Sequence, residues 1–467
     1  MQRLSALDTE FLHLEDGIAH MHIAGMSVFG GTPPSESDVA ALLASKLNRI
    51  PRYRQRIQPV PFELGRPVWV DDADFNLGFH VRETALVEPT DEALCRLMGR
   101  LMSQELDRHR PLWELWIVHG LPDERWALIS KVHHCMVDGI AGVGLLEALL
   151  DTEPDVALTL PRPWTADPEP TGPDLVLDAW GGLASDVVGR VAAIPDLARH
   201  PGRTLRSLAE TGSGLVRLTS RLGFTRQQSI EGSIGPHRVW AHSSATVDDI
   251  RRIRKTLGGT LNDVVLTAVT GGYRDLLLSR GDDLDQTVLR TLVPVSVRRE
   301  GVDGDVDNRV SAILYDLPVQ IDDPAVRLHA VRTKMTELKA SHMADAGDAI
   351  TSAANLLPPM VVGNASRLLM RYSRDHPQRS LDTVTTNVPG PQFPLYCLGR
   401  RMLEHRPYVP ISHGIRVGTA ILSYDGSLSF GVTGDFDHAP DVDIVASGIA
   451  TTIDELVRRA ESCVAGP

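Results

Sequence analysis

Hydrophobic residues in the first third of the chain alternate between strand-like and helix-like spacing. The apolar run His20–Phe29 predicts a strand, and the runs Leu112–Val118 and Trp126–Val132, which flank a turn-rich segment, predict a β-hairpin. Helical spacing recurs at three places, Ser37–Leu47, Thr90–Leu106 and 140–150. Strands interleaved with helices in this way are typical of an α/β unit.

A different pattern separates this part from the rest of the chain. Five prolines fall between residues 161 and 173, which is typical of a linker. Amphipathic helical spacing follows from Leu175 to Leu222. Within it, the stretch Arg199–Arg226 contains six arginines and one acidic residue, so a strongly basic segment lies inside an acidic chain.

The α/β pattern returns from about His237 onward. Val288–Val297 and Val310–Leu317 have the β-branched composition of strands, and Thr419–Phe436 alternates around Asp425-Gly426, which is a strong hairpin signal. Further helices are predicted at Leu261–Leu278 and Ala325–Ser341. We therefore predict a two-lobed α/β protein of mixed sheets with helices. It consists of an N-terminal lobe over 1–155, a Pro-rich and then helical basic linker over 156–236, and a C-terminal lobe over 237–467.

Composition narrows the class of protein. The 467 residues are 42% hydrophobic and 23% charged, as in a soluble globular chain, and the net charge of −13 argues against nucleic acid as a partner. Cys95, Cys135, Cys397 and Cys463 are too far apart in sequence for a zinc ribbon or a redox pair, which predicts reduced thiols in the cytoplasm. Neither a signal peptide nor an apolar run long enough to span a bilayer is visible.

The segment Lys131–Ile140 carries the clearest chemical signal. A predicted strand ends at His133 and His134, and Asp138-Gly139 then turns the chain toward a helix. A histidine that acts as a general base must be held in one tautomer and one orientation. Asp138, four residues after His134, can supply this directly or by fixing the backbone. The apolar residues between them favour a neutral imidazole that can accept a proton.

Spacing alone leaves three interpretations of this segment open. His134 is a general base, or the histidines are structural, or both histidines and Asp138 bind zinc. Neighbouring strand residues point to opposite faces, which makes a shared metal ion difficult for His133 and His134. His20 and His22 are predicted to be structural. The sequence contains no GxSxG, P-loop or Rossmann GxGxxG motif, which disfavours a serine hydrolase, an ATPase or a nicotinamide enzyme.

Residues 133–139 fit HHxxxDG, the signature of acyltransferases built like chloramphenicol acetyltransferase and peptide-synthetase condensation domains. Six further motifs occur along nearly the whole chain, at Leu4–Asp16, Pro111–Glu114, Asn262–Val265, Val293–Arg298, Asp307–Arg309 and Asn387–Pro391. With these motifs, in this order, the sequence resembles the bacterial wax ester synthase/diacylglycerol acyltransferase family. The resemblance is closest to the triacylglycerol synthases of mycobacteria and related actinobacteria.

This resemblance implies a role for each matching residue. His134 corresponds to the catalytic base, which takes the hydroxyl proton of the acceptor as its oxygen attacks an acyl-CoA thioester. Asp138 holds the motif in shape, His133 is structural, and Gly139 permits the turn into the helix. Asn262 lies near the active site of the family, where an amide donor can orient the acceptor or stabilise charge on the thioester oxygen.

Four residues are weaker candidates for substrate binding, namely Pro111, Leu112, Trp113 and Arg298. The first three resemble a segment near the acyl-binding region of the family, although apolar residues of this kind more often serve packing. Arg298, and with it Arg309, is a candidate for the CoA phosphates, with a surface ion pair as the more common alternative. Asp263 is expected to act on the helix backbone, and Asn387–Pro391 is expected to form a loop.

The implied reaction is direct transfer through a ternary complex, without an acyl-enzyme, a metal or a bound cofactor, and with acyl-CoA as a substrate. The favoured products are triacylglycerol and CoA, formed from diacylglycerol and long-chain acyl-CoA. Alternatives are wax ester synthesis from a long-chain alcohol, a non-catalytic lipid-surface protein of the same fold, and a condensation enzyme using carrier-protein thioesters. Water-insoluble acceptors imply a cytoplasmic protein peripherally associated with the inner membrane or lipid inclusions, with Arg199–Arg226 and Arg367–Arg374 as candidate contact regions.

Overall fold

Two six-stranded mixed sheets form the framework of the molecule in a computed structural model. The structure describes residues 2–136, 149–160, 163–181, 228–296, 310–340 and 381–464, together with Gly363 and Leu368. The predicted α/β architecture of mixed sheets with helices is confirmed.

Among the described residues, a helix packs on each face of the N-terminal sheet. Its strands are β2 (His22–Gly30), β5 (Val81–Ala85), β6 (Trp113–Leu121), β7 (Arg125–His133), β12 (Tyr396–Cys397) and β13 (Arg400–Tyr408), in the order β12-β13-β2-β7-β6-β5. Helix α2 (Glu36–Lys46) packs Leu42 and Leu43 against the face that carries Leu128, whereas helix α4 (Asp91–Met102) packs against the face that carries Ile129. Alternation along β7 therefore supplies two cores, one on each side of the sheet.

The N-terminal sheet also includes strands from the far end of the chain. β13 pairs antiparallel with β2, with Tyr408 opposite Ala24 and Met402 opposite Phe29. Residues 396–408, which the prediction assigns to the C-terminal lobe, cross over and extend the N-terminal sheet. The reason is physical: an apolar strand pattern indicates a strand but does not indicate which sheet it joins.

The C-terminal sheet has the order β10-β9-β11-β14-β15-β8. The strands are β8 (Arg238–Thr246), β9 (Leu289–Ser296), β10 (Val310–Leu317), β11 (Thr383–Pro389), β14 (Val417–Tyr424) and β15 (Ser427–Asp435). The predicted hairpin joins β14 to β15, with positive φ at both Asp425 and Gly426. The helices of this lobe are α6 (Val247–Leu257), α7 (Leu261–Ser279), α8 (Pro324–Ala340) and α9 (Val442–Val464). Helices α7 and α9 pack against each other and against this sheet in one large apolar core.

A third, small sheet receives the beginning of the predicted linker. It contains β1 (Gln2–Arg3), β3 (Gln55–Gln58) and β4 (Val68–Asp71), with β4 in the middle. Helix α5, at 172–181, packs Leu175 and Ala179 into a cluster with residues of this region. The Trp164 ring lies under the guanidinium of Arg54, 4.6 Å from its central carbon. Residues 163–181 therefore pack on the N-terminal lobe, while Arg199–Arg226 lies outside the described residues.

Helix α1 (Ala6–His13) lies against the turn that follows β7. Ser5 caps it by accepting the backbone N–H of Asp8 at 3.0 Å. Its buried residues include Leu12, and Arg108 donates to the Leu12 carbonyl at 3.2 Å. This helix and the residues that follow it bring Phe11 and Glu15 to the histidine pair.

Candidate active site

The histidine pair lies at the carboxyl end of β7, where the strand passes into a 3₁₀ turn (His134–Met136). The backbone N–H of His133 donates to the Leu112 carbonyl at 2.9 Å, and that of His134 donates to the Met21 carbonyl at 2.8 Å. These two bonds extend the hydrogen bonding between β7 and its neighbouring chain segments on both sides, as far as His134. The backbone that carries both rings is therefore fixed from two directions.

His133 is buried, with 1% of its side chain exposed, and its hydrogen bonds define its tautomer. Nδ1 accepts the backbone N–H of Cys135 at 3.1 Å, so the proton of the neutral ring belongs on Nε2. Nε2 lies 3.2 Å from Oε1 of Glu15. An imidazole held at both nitrogens in this way suits a structural part, which is the role that the sequence implies for His133.

Glu15 is the residue on which this buried arrangement converges. Its side chain is 3% exposed and accepts the backbone N–H of Met21 at 2.8 Å and the guanidinium of Arg108 at 2.5 Å. His22 also approaches, with Nε2 at 3.5 Å from Oε1. Burial alone would raise the pKa of Glu15, but the hydrogen bond from His133 and the neighbouring positive groups hold that pKa well below its usual range.

His134 has different surroundings from His133. Its ring is half-buried and stacks on Phe11, with the two centroids 3.9 Å apart and the planes 27° from parallel. Phe11 therefore covers one face of the imidazole, whereas the nitrogen lone pairs of the ring lie in its plane. His134 contacts Phe11, whereas His133 contacts Glu15 and Cys135, as expected for neighbouring residues that point to opposite sides of a strand.

One grouping near the pair resembles a metal site in composition. Ligand-type atoms of Glu15, His20 and His22 lie within 4.8 Å of one another. Arg108 already binds Glu15. Burial lowers the pKa of His22 well below its usual value, and the nearby Lys131 ammonium lowers it further. The rings of His20 and His22 stack only 9° from parallel, so their in-plane lone pairs do not converge on one point. This geometry favours the structural role predicted for both histidines.

The Pro111–Trp113 segment lies in the core. Leu112 and Trp113 are buried, and the Trp113 indole N–H donates to the Tyr53 carbonyl at 2.9 Å. The Leu112 carbonyl also accepts the backbone N–H of His133, so this segment helps to fix the end of β7. The described contacts are those of packing, the more common role of such residues; substrate binding by Pro111, Leu112 and Trp113 stays a prediction.

Asn262 lies in the first turn of α7, in a well-capped helix terminus. Asp263 accepts the backbone N–H of Thr260 at 2.7 Å, and Thr260 Oγ1 accepts that of Asp263 at 3.2 Å, which forms a capping box. Asp263 therefore acts on the backbone, as predicted. The Asn262 side-chain oxygen accepts from Nδ2 of Asn387 at 3.3 Å. This bond leaves the Asn262 amide N–H groups available as donors.

Asn387 is a residue whose part the sequence did not indicate. The Asn387–Pro391 motif is expected to form a loop, yet Asn387 lies on β11, three residues before the chain crosses toward the N-terminal sheet. A Cβ on Gly390 would lie 2.2 Å from the Ser423 carbonyl oxygen, so only glycine fits there without displacing backbone. Glu15 and Phe11 were likewise inside a matched motif, Leu4–Asp16, without an assigned role.

Several predicted residues cannot be placed. Asp138, Gly139, Arg298 and Arg309 lie outside the described residues, and so do residues 140–148 of the helix predicted at 140–150. All four cysteines are free thiols, and burial raises the pKa of the Cys135 thiol well above its usual value. Cys135 is therefore a poor nucleophile despite its place beside His134.

Comparison with known proteins bears on what this site does. The family model of the wax ester synthase/diacylglycerol acyltransferase catalytic domain matches residues 4–265, and the model of the C-terminal domain of that family matches residues 306–457. The probable diacylglycerol O-acyltransferase tgs1 of Mycobacterium tuberculosis (strain ATCC 25618 / H37Rv) is 36% identical over 98% of this chain and 96% of its own length.

Solved structures agree on the fold. The wax ester synthase/diacylglycerol acyltransferase from Marinobacter aquaeolei VT8 is similar at a TM-score of 0.67 and 24% identity, covering 99% of this chain and all of that one. The first condensation domain of the calcium-dependent antibiotic synthetase is similar at a TM-score of 0.57 and 14% identity, covering 100% and 98%. The predicted chloramphenicol-acetyltransferase-like, condensation-domain-like fold is confirmed. The chain is an acyltransferase that belongs to the wax ester synthase/diacylglycerol acyltransferase family.

Proposed function

We propose that the protein transfers the acyl group of long-chain acyl-CoA to the free hydroxyl of diacylglycerol, which yields triacylglycerol and CoA. His134 takes the hydroxyl proton while the acceptor oxygen attacks the thioester carbonyl, and the CoA thiolate leaves. The observation that carries this proposal is the placement of His134, half-buried at the fixed end of β7 with one ring face covered. No acyl-enzyme is part of the proposal, and acyl-CoA is a substrate rather than a cofactor.

Two arrangements support the assignment of roles. His133 is held by Glu15 and by the backbone of Cys135, which supports a structural role for His133. Asn262, oriented by Asn387 at the start of α7, supplies amide donors of the kind that stabilise a developing oxyanion. The near-full-length similarity to a named diacylglycerol O-acyltransferase favours diacylglycerol as the acceptor.

A long-chain alcohol is the second candidate acceptor, because the matching family includes wax ester synthases. The same base and the same thioester chemistry would serve either acceptor. A third possibility is that the chain is a non-catalytic lipid-surface protein of the same fold. The intact HHxxxDG sequence disfavours this possibility.

One assay tests both the activity and the acceptor. Labelled palmitoyl-CoA is offered separately to diacylglycerol and to hexadecanol, and the lipid products are resolved. His134→Ala should lower turnover by about 10²-fold or more, because general-base catalysis contributes about 10²–10⁴-fold. His109→Ala, at an exposed histidine, is the matched control and should leave turnover unchanged. An active, folded His134→Ala protein would refute the base assignment, and labelled wax ester without triacylglycerol would refute the acceptor.

We also propose that the protein meets its acceptor at a lipid surface in the cytoplasm. None of the helices in the described ranges is long and apolar enough to cross a bilayer. The six arginines of the stretch Arg199–Arg226 alternate with leucines and other apolar residues. Each such cation near an anionic surface contributes about 1 kcal/mol. The alternative is a solvated segment whose arginines pair with acids of the two lobes.

Flotation with vesicles separates these possibilities. The protein should float with anionic liposomes at low salt and lose binding as salt rises. Four substitutions in one variant, Arg203→Gln, Arg206→Gln, Arg217→Gln and Arg221→Gln, should weaken flotation while turnover on detergent-dispersed diacylglycerol is retained. Unchanged flotation of this variant would remove the segment from the argument.

A further inference from the structure

We propose that Phe11 is a positioning residue for His134, through which helix α1 and the C-terminal half of the chain fix the plane of the catalytic imidazole. The inference rests on the proposed role of His134 as the base. The stack itself is the primary observation, with ring centroids 3.9 Å apart and planes 27° from parallel. At this separation the phenyl ring is in van der Waals contact with the imidazole and opposes its rotation about χ2.

Phe11 is itself held by residues from both halves of the chain. It packs against an apolar cluster made of Ala19 and Met21 from the N-terminal part and of Ile234 and Ile411 from the C-terminal part. A phenylalanine packed against buried apolar side chains has few rotamers available. Residues from both halves of the chain therefore hold the phenyl ring that orients the imidazole.

Polar contacts fix the segment that follows α1 to the C-terminal half. Nε2 of His413 lies 2.8 Å from Oδ2 of Asp16, and the Arg238 guanidinium donates to the Ile18 carbonyl at 2.5 Å. On the other side, Glu15 accepts from Met21 and Arg108. These bonds limit how far α1 can shift relative to β7, so the position of the Phe11 ring is determined from outside the helix.

The chemical consequence follows from geometry. A base must present its lone pair along the direction of the acceptor O–H bond, and its efficiency falls when the ring tilts. Leucine at position 11 preserves most of the apolar volume but removes the flat surface against which the imidazole rests. Tyrosine preserves that surface.

The test compares Phe11→Leu, Phe11→Tyr and a control, Leu7→Ala, at an exposed position of the same helix. Phe11→Leu should lower kcat on the order of 10-fold with little change in KM, since a misplacement of about 1 Å can cost about 10²-fold. Phe11→Tyr should retain most of the wild-type kcat, and Leu7→Ala all of it. Thermal unfolding establishes that each variant is folded.

Two further measurements separate positioning from a general structural effect. In histidine-labelled protein, the ring protons of His134, identified by their absence in His134→Ala, should lose their upfield ring-current shift in Phe11→Leu and keep it in Phe11→Tyr. In a double-mutant cycle, Phe11→Leu should have little further effect on turnover in the His134→Ala background.

The outcomes are distinct. A Phe11→Leu protein with wild-type kcat, a rise in KM that tyrosine does not reverse, or an equal effect of Phe11→Leu in both backgrounds would each overturn the inference. Wild-type turnover of His134→Ala would instead refute the proposed function, whatever the ring-current shift shows.

Discussion

Replacement of Glu15 by glutamine is the perturbation that best tests the buried arrangement around His133. Glutamine keeps one acceptor oxygen but removes the charge and introduces an NH₂ group. All polar neighbours of Glu15 described above, including His133, Met21 and Arg108, present donors to it. The new NH₂ group must therefore face at least one donor. The side chain is almost fully buried, so water cannot relieve that conflict.

The magnitude follows from the contacts. Hydrogen bonds to a charged group contribute about 1.5–3 kcal/mol each, and the half-exposed Arg108 adds less because solvent screens it. We expect a loss of about 3 kcal/mol, mainly from the His133 and Met21 contacts. Unfolding entropy of about 2.1 cal/mol/K per residue over 467 residues is about 1 kcal/mol/K, so the melting temperature should fall by about 3 °C.

Scanning calorimetry at a fixed scan rate measures this change, and Glu10→Gln on the neighbouring helix is the matched control. The pH dependence has a defined sign. Because the pKa of Glu15 is lowered in the folded protein, its stabilisation is complete above the unfolded value of about 4.3 and is lost as pH falls toward the folded value. The gap between wild type and Glu15→Gln should therefore narrow below about pH 4. Equal melting temperatures of Glu15→Gln and Glu10→Gln at pH 7 would refute the reasoning.

Four other outcomes are expected. His133→Ala should destabilise the protein by about 3 kcal/mol, because it removes a partner of the buried Glu15 carboxylate. The folded fraction of this variant should keep more turnover than His134→Ala. A folded but inactive His133→Ala protein would make His133 the base and His134 the structural histidine. Asn387→Ala should lower kcat about 5-fold at an unchanged melting temperature, because one lost hydrogen bond is equivalent to about 1 kcal/mol. The control Gln392→Ala, at a nearby amide side chain, should leave kcat unchanged. Equal kcat in the two variants would contradict a role for the Asn387–Asn262 bond. Gly390→Ala should lower the free energy of unfolding by about 1–3 kcal/mol, because the new Cβ would collide with the Ser423 carbonyl oxygen. The control Gly181→Ala adds a Cβ into open space and should be neutral. Similar melting curves for the two variants would show that the backbone near Gly390 shifts to accept the Cβ. Asp138→Asn should reduce soluble yield as much as specific activity, and a well-folded variant with a selective loss of turnover would place Asp138 in the chemical step.

Local patterns predicted some elements of the fold closely, but not others such as the helix Val442–Val464. Val310–Leu317 is a strand with the predicted bounds, and the predicted helix at Leu261–Leu278 ends one residue later, at Ser279. The hairpin at Asp425-Gly426 was predictable because a two-residue turn requires positive φ, which this dipeptide readily adopts. In each case the information lies within a few residues of the feature.

Contacts between distant segments were not predictable in the same way. The motif HHxxxDG indicated His134, but nothing in the spacing of Phe11 or Glu15 indicates that one stacks on His134 and the other meets His133. The Asn387–Asn262 bond joins residues 125 positions apart. Such pairs depend on how the sheets are assembled, and a hydrophobic pattern carries no information about that assembly.

The crossover of β13 onto β2 has a consequence for synthesis of the chain. Ser27 Oγ on β2 lies 2.9 Å from Nδ1 of His405 on β13, although 378 positions separate them. At about 5–20 residues per second, β2 therefore waits roughly 20–75 s on the ribosome before its outer neighbour exists. Throughout that interval the nascent chain exposes a strand edge with unpaired backbone groups, which is a template for aggregation. We expect the nascent chain to need protection of that edge until residue 408 emerges, and we expect a fragment ending at residue 236 to keep the edge exposed.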